Sequence, residues 1–306
     1  MIDLRGAKVL VTGGAGFIGS HTVDALIAAQ ASVTVVDDLS TGQYGNIAHS
    51  GARFEYCNIR DDRFEEIYDL VRPDYVYHFA HFVKVPQSVI DPLLDVPTLI
   101  GTLRLFKKAR EYGIKKIVIA SSGFLYGNTA DLPATENTPV DPIVPYAVSK
   151  RAIENYAKTF RLPHVILRYA AIYGPRQETG AMADYIRQLA AGRQADIWGD
   201  GMKTRDYVYI ADVVRANIMA LGLPDDHPDP VFNIGTGTET TLNMLYQTLA
   251  GIMGVEGKPI YHPDRAVEQM RYALDASKAK RDLGWAPMWA LDDGLRQTVA
   301  AALGKH

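Results

Sequence analysis

Val11-Thr12-Gly13-Gly14-Ala15-Gly16-Phe17-Ile18-Gly19 is the stretch on which the fold turns. A short apolar run, Lys8–Thr12, leads into it, and from Ile18 to Ala29 the apolar residues recur at helical spacing. The glycines therefore stand where a strand becomes a helix. Glycine there permits a tight turn, lets the backbone approach a pyrophosphate and brings the helix close to the sheet. The helix start adds free N–H groups and a positive dipole end. The next β-rich run, Ser32–Asp37, ends in an acid. Asp37 at that distance from the glycines can accept hydrogen bonds from both ribose hydroxyls and repels a 2′-phosphate. No arginine follows in Asp37-Asp38-Leu39-Ser40-Thr41-Gly42, so the pattern favours NAD over NADP.

Outward from this unit the alternation continues. Phe54–Cys57, Tyr75–Phe79, Lys116–Ala120 and His164–Leu167 read as strands buried on both faces. Phe64–Val71, Pro92–Tyr112 and Pro145–Phe160 read as helices between them. Such alternation predicts an α/β fold with a doubly wound parallel sheet. The second half is less regular, with helices expected at Ala181–Ala191, Ala211–Leu221, Asn243–Met253 and after Asp292, and a strand at Val231–Ile234. We expect a nucleotide-binding domain over 1–167 and a smaller, partly interleaved lobe over 168–306. The chain is expected to return to the first sheet around 205–235.

Composition narrows the function classes. Across 306 residues, 32 Lys and Arg face 35 Asp and Glu, which leaves no basic footprint for nucleic acid or an anionic membrane. No apolar run reaches the roughly 18 residues of a membrane span. Met1–Arg5 does not read as a secretion signal, and Cys57 is the single cysteine, against a disulfide or a cysteine metal site. The expectation is a soluble cytoplasmic protein without a metal.

Tyr146-Ala147-Val148-Ser149-Lys150 places Tyr and Lys on one face at the start of a helix. A neighbouring ammonium favours phenolate, which would make Tyr146 a general base near neutral pH. Ser122, in Ser121-Ser122-Gly123, follows a strand at the sheet end where ligands bind, so its hydroxyl could hold the reacting oxygen.

Gly13-x-x-Gly16-x-x-Gly19, Asp37, Ser122 and Tyr146-x-x-x-Lys150 together resemble the extended short-chain dehydrogenase/reductases, with their Rossmann-type sheet. Within them the chain is most similar to the NAD-dependent nucleotide-sugar epimerases and dehydratases. Gly13–His21, Val85–Asp91, Tyr173–Gln177, Thr204–Val208 and Asp275–Lys278 also look like family landmarks. The resemblance implies a base, Tyr146, tuned by Lys150, with Ser122 on the 4-oxygen of a UDP-sugar. It implies a cofactor site of Gly13, Gly16, Phe17, Ile18, Gly19, Asp37, Asn58, Ile59, Phe79 and Ala80 with Tyr146 and Lys150. Arg205 and Arg265 would clamp the diphosphate, Glu268 would meet the uridine ribose, and Tyr272 would limit the room at C2 of the hexose.

Family dehydratases carry an acid/base pair, usually Asp-Glu, after the conserved Ser or Thr, and the decarboxylases usually carry a Glu two residues before Tyr-Gly. Here the segment is Ser122-Gly123-Phe124-Leu125-Tyr126-Gly127. The implied reaction is therefore inversion of C4 of UDP-glucose and UDP-galactose through a transient 4-keto sugar. A UDP-sugar dehydratase or decarboxylase, and a non-catalytic NAD-binding regulator, are the alternatives. The chain departs from the family pattern at Ala171 and Thr98, where Asn is common, at Asn58, where Asp is common, and at His81, where a small residue is usual. His81 reads as a pocket wall rather than a catalyst. Leu93, Leu94, Val96, Leu99, Leu103 and Phe106, with Val148, Ala152, Ile153 and Tyr156, exceed what one sheet contact needs. Family members commonly join these helices in an intermolecular four-helix bundle, so a homodimer is expected.

Overall fold

The computed structural model describes residues 2–81, 85–264 and 269–304. β1 (Lys8–Thr12), α1 (Phe17–Ala28) and β2 (Ser32–Asp37) form the first strand-helix-strand unit. β3 (Arg53–Tyr56), α2 (Asp62–Val71), β4 (Tyr75–His78), α3 (Val85–Ile90), α4 (Val96–Glu111) and β5 (Lys116–Ser122) extend it. After α5 (Pro145–Phe160) come β6 (His164–Tyr169), β7 (Ala171–Tyr173), α6 (Ala181–Ala190), β8 (Asp196–Trp198), β9 (Thr204–Arg205), β10 (Tyr207–Tyr209) and α7 (Ile210–Ala220). β11 (Val231–Ile234), β12 (Thr240–Thr241), α8 (Leu242–Met253), β13 (Ile260–His262) and α9 (Leu291–Ala302) follow.

Seven strands make one parallel sheet in the order β11-β6-β5-β4-β1-β2-β3. The period of two is visible in its packing. Val9, Val11, Val33 and Val35 bury against Val23 and Leu26 of α1 and Val213 and Ala216 of α7. Leu10, Val36, Val76 and Ile117 bury on the other face against α2, α4 and α5. Each such side chain contributes about 1.5–3 kcal/mol, which explains why these runs prefer the sheet interior. Strand order reverses between β1 and β4, and clefts for ligands form at the carboxyl ends beside such a reversal. The remaining strands form three two-stranded sheets, β10-β7, β12-β9 and β13-β8. Among the described residues no helix is long and apolar enough to cross a membrane.

Two boundaries differ from the sequence expectation in ways that matter. β5 runs two residues further, so Ser122 is its last residue. The expected helix Pro92–Tyr112 is divided: Pro92–Leu94 is a separate 3₁₀ turn capped by Asp91, and α4 starts after Asp95. Pro97 explains the break, because a proline lacking N–H belongs in the first turn of a helix rather than its middle.

The helix α5 is fastened by a buried charge network. Glu154, whose side chain is fully buried, accepts two bonds from the Arg168 guanidinium of β6, at 2.9 and 2.7 Å. It also accepts from Ser121 Oγ of β5 at 2.7 Å and from Arg151 at 3.0 Å. Arg168 donates onward to the Tyr126 hydroxyl, which donates to Asn233 of β11. Burial raises the proton affinity of the Glu154 carboxyl, but Arg168 and Ser121 hold it below the usual range. Removing one member of a buried ion pair typically costs about 3–5 kcal/mol, and Glu154→Gln should lose that much at neutral pH. A carboxyl depressed in the folded state stabilises above its unfolded value, near 4.3, and stops doing so as pH falls through the folded value. Denaturant unfolding should therefore show the gap between the two proteins closing in acid. A gap unchanged from neutral pH to about pH 3 would refute this role.

Candidate active site

The glycine loop is shaped by close approach. Gly13 has φ +70°, and a Cβ on it would lie 2.6 Å from Ala80 N. A Cβ on Gly19 would lie 2.7 Å from Gly14 Cα, so α1 can sit this near the loop only without a side chain. Gly16 caps α1 with no side-chain bond, leaving the first-turn N–H groups directed at the cleft. Asp37, at the end of β2, accepts from Ala15 N–H at 2.9 Å and Leu39 N–H at 2.8 Å. Burial raises this carboxyl, while those two N–H groups oppose it.

 The loop and Asp37 thus form one unit at the carboxyl end of the sheet.

A cleft of about 600 Å³ opens over it. Gly13, Gly16, Phe17, Ile18, Gly19, Asp37, Asn58, Ile59, Phe79 and Ala80, the expected cofactor residues outside α5, all line it. Thr98 and His81 line it too. Sequence reasoning missed Asp38, Gln177 and Glu178 on the same wall. Asp38 accepts from Asn58 Nδ2 at 2.6 Å, and Glu178 accepts from Gln43. The side-chain-free loop, the open helix start and the acid at β2 fit a dinucleotide.

At the next strand ends, β5 and α5 bring the expected catalytic residues together. Ser122 Oγ accepts from Phe124 N–H at 3.2 Å and hydrogen-bonds the Tyr146 phenol, favouring its ionised form. Lys150 Nζ donates to the Ala120 carbonyl at 2.7 Å. The spacing predicts an ammonium beside the phenol, and Lys150 Nζ, while bonded to Ala120, lies over the Tyr146 ring, 5.8 Å from its centroid. Burial pushes Tyr146 up to about 12, with Ser122 pulling the other way. Burial also lowers Lys150 to about 7, while Asp95 and Glu154 support its charge.

Aromatic rings frame the phenol. His81 meets Tyr146 edge-on at 4.9 Å between centroids, and Phe124 meets it edge-on at 6.4 Å. Tyr272 is fully buried; its hydroxyl donates to the Tyr169 carbonyl at 2.6 Å and its ring packs on Phe124 at 5.8 Å. A Cβ on Gly123 would lie 2.7 Å from Tyr272 Cζ. Arg205 also packs on Phe124, with its guanidinium 5.9 Å from that ring and donating to the carbonyls of Thr204 and Gln269. Ala171 lies in β7. Arg265 and Glu268, the other expected substrate residues, lie outside the described residues.

Comparison with known proteins agrees with this geometry. The model of the NAD dependent epimerase/dehydratase family matches residues 9–235. A putative UDP-glucose 4-epimerase of Methanocaldococcus jannaschii is 39% identical over 301 residues, covering 95% of this chain and 97% of its own. The UDP-glucose 4-epimerase of Mycolicibacterium smegmatis is 39% identical over 306 residues, covering 95% and 97%. The crystal structure of the Thermotoga maritima UDP-glucose 4-epimerase with UDP-glucose superposes with a TM-score of 0.93 at 42% identity, covering 97% of this chain and 98% of that one.

Proposed function

The chain belongs to the NAD dependent epimerase/dehydratase family, and we propose that within it the protein inverts C4 of a UDP-hexose, interconverting UDP-glucose and UDP-galactose. What carries this reading is the pair of residues after Ser122. Eliminating water from a 4-keto sugar requires a base for a carbon-bound proton and an acid for the departing hydroxyl. Gly123 and Phe124 offer neither. The first of these positions is also closed, because the Tyr272 ring occupies the space a side chain on Gly123 would need.

The reaction uses residues already placed. When bound, NAD supplies a reversible hydride acceptor and the positive charge of its oxidised ring. Tyr146 takes the proton of the sugar 4-hydroxyl and returns it once the keto sugar has turned its other face. Ser122 holds the 4-oxygen beside that phenol, and the Phe124 and His81 rings keep Tyr146 in place while the sugar moves. Arg205, beside Phe124, is suited to the diphosphate, since a guanidinium matches phosphate geometry with two donors.

Product analysis by NMR after incubation with UDP-glucose, UDP-galactose or UDP-glucuronate tests the assignment. The C4 epimer should be the product of either hexose. Tyr146→Phe should lose about 10²–10⁴-fold in kcat while still binding UDP-sugar. A 6-deoxy-4-keto sugar or a decarboxylated pentose would overturn the reading, and an active Phe variant would move the base elsewhere.

Sugar selectivity follows from Tyr272. Its ring is buried between Gly123 and Phe124 with its hydroxyl bonded, so room for an N-acetyl group at C2 would require moving it. Overpacking costs about 1–3 kcal/mol, or roughly 5- to 150-fold. We expect kcat/KM to favour UDP-galactose over UDP-N-acetylgalactosamine by that margin, and Tyr272→Ser to narrow it. Equal values in the unaltered protein would exclude Tyr272 as a gate.

Assembly is proposed from the outer faces of α4, the 3₁₀ turn before it and α5; the two helices pack side by side. Phe106 and Ile153 are buried in the chain's own core, but Leu93 is 73% exposed and Val148 53%. Leu94, Val96 and Tyr156 are exposed as well. An isologous contact between two copies would cover this surface in a four-helix bundle. Light scattering at micromolar concentration should give a dimer mass, and a monomer mass would reject the proposal.

A further inference from the structure

Asp206 lies between β9 and β10, fully buried, and the reaction described above makes no use of it. Its carboxylate gathers two segments that are far apart in sequence. Thr236 N–H is shared by both oxygens, at 2.9 and 3.0 Å, and Thr236 Oγ1 donates to Oδ1 at 2.6 Å. Oδ2 also accepts from Gly237 N–H at 3.0 Å and from Leu274 N–H at 3.1 Å. The turn can come this near only without a side chain at its start, since a Cβ on Gly235 would lie 2.5 Å from Oδ2. That turn directly follows β11, an edge strand of the main sheet.

The second segment carries Tyr272. Successive N–H groups of an extended chain point to opposite edges. On one edge of Tyr272–Asp275, Ala273 O accepts from Ala134 N–H and Asp275 N–H donates to Ala134 O, both at 2.8 Å. On the other edge, Tyr272 N–H donates to Thr204 Oγ1 at 3.4 Å and Leu274 N–H donates to Asp206. Two side chains thus stand where a neighbouring strand would be. The Thr204 bond is at the long end of the hydrogen-bond range, so the charge-assisted bond to Asp206 is the stronger fastening. The far end of Tyr272 is held by the bond of its hydroxyl to the Tyr169 carbonyl. Between these two fastenings its ring packs on Phe124 and fills the space beside Gly123.

We propose that Asp206 is a positioning residue for sugar selectivity: by binding the Thr236–Gly237 turn and Leu274 N–H with one carboxylate, it fixes the Tyr272 backbone to the main sheet and so sets how far the ring reaches toward the sugar. Without the carboxylate, buried N–H groups lose their acceptor and the segment moves to satisfy them. The wall at C2 then gives way. The inference rests on the reading of Tyr272 as that wall.

Two measurements on the full chain test it. The first follows the ¹⁹F resonance of Tyr272 in fluorotyrosine-labelled protein, identified by its absence in Tyr272→Phe. The second is the ratio of kcat/KM for UDP-galactose to that for UDP-N-acetylgalactosamine. Asp206→Ala should move the resonance and lower the ratio roughly 3- to 10-fold, the worth of a hydrogen bond. Asp206→Asn should leave both nearly unchanged, because its carbonyl can take Gly237 and Leu274 while its NH₂ donates to Thr236 Oγ1. In a Tyr272→Ser background, Asp206→Ala should lower the ratio no further, since the two act as one unit. Weaker diphosphate binding through the adjacent Arg205 would affect both substrates and cancel in the ratio, as would a smaller folded fraction. An unmoved resonance or an unchanged ratio in Asp206→Ala overturns the proposal. So does an Asn variant as altered as the Ala variant, which would make charge rather than the bonds responsible. If Asp206→Ala does not fold, Asp206→Ser, too short to span Thr236 and Leu274 together, is read in its place. If the unaltered protein does not discriminate, or turns over no UDP-hexose, the reading of Tyr272 fails, and the resonance alone decides whether Asp206 places the ring.

Discussion

The Glu154–Arg168 ion pair is the constraint from which the site follows. It fixes α5 against β5 and β6 with directional bonds in a place water does not reach. With the helix so placed, three consecutive residues at the end of β5 meet one face of α5. Ala120 accepts from Lys150, Ser121 donates to Glu154 and Ser122 meets Tyr146. Apolar packing would permit small slides of a helix on a sheet. The forked guanidinium does not, because both of its bonds to Glu154 lengthen together. The geometry of the proposed catalytic residues is therefore set by a buried pair that lies outside the lining of the cleft.

Desolvation acts on the two members of the couple in opposite senses. It raises the phenol of Tyr146 and lowers the ammonium of Lys150, which works against proton abstraction by the phenol. Positive charge beside the phenol would favour its ionised form, and an oxidised nicotinamide would supply such a charge when bound. The carboxylates of Asp95 and Glu154 hold up the lysine side of the balance.

Much of this was legible in the residues because it is local. The glycines, Asp37 and Tyr146-x-x-x-Lys150 each declare themselves within a few positions, and the main strands follow a short period that burial on both faces enforces. What escaped depends on partners distant in sequence. Glu154 and Arg168 look like ordinary charges until the sheet places them together. Asp95 sat inside an apparently continuous helix, and only the break before Pro97 frees it to face His81. β8 and β13 are three residues each and exist through their mutual pairing, which no local pattern announces.

The meeting of Tyr272 with Gly123 also bears on how such a site could change over descent. A carboxylate introduced at position 123 would collide with the ring while Tyr272 remains. Replacing Tyr272 first would remove the obstacle but open a hole in a filled site and leave the Tyr169 carbonyl without its donor. Neither single step is favourable by itself, so the two positions are epistatic. A lineage with this arrangement would have to change the two positions together or in a compensated order.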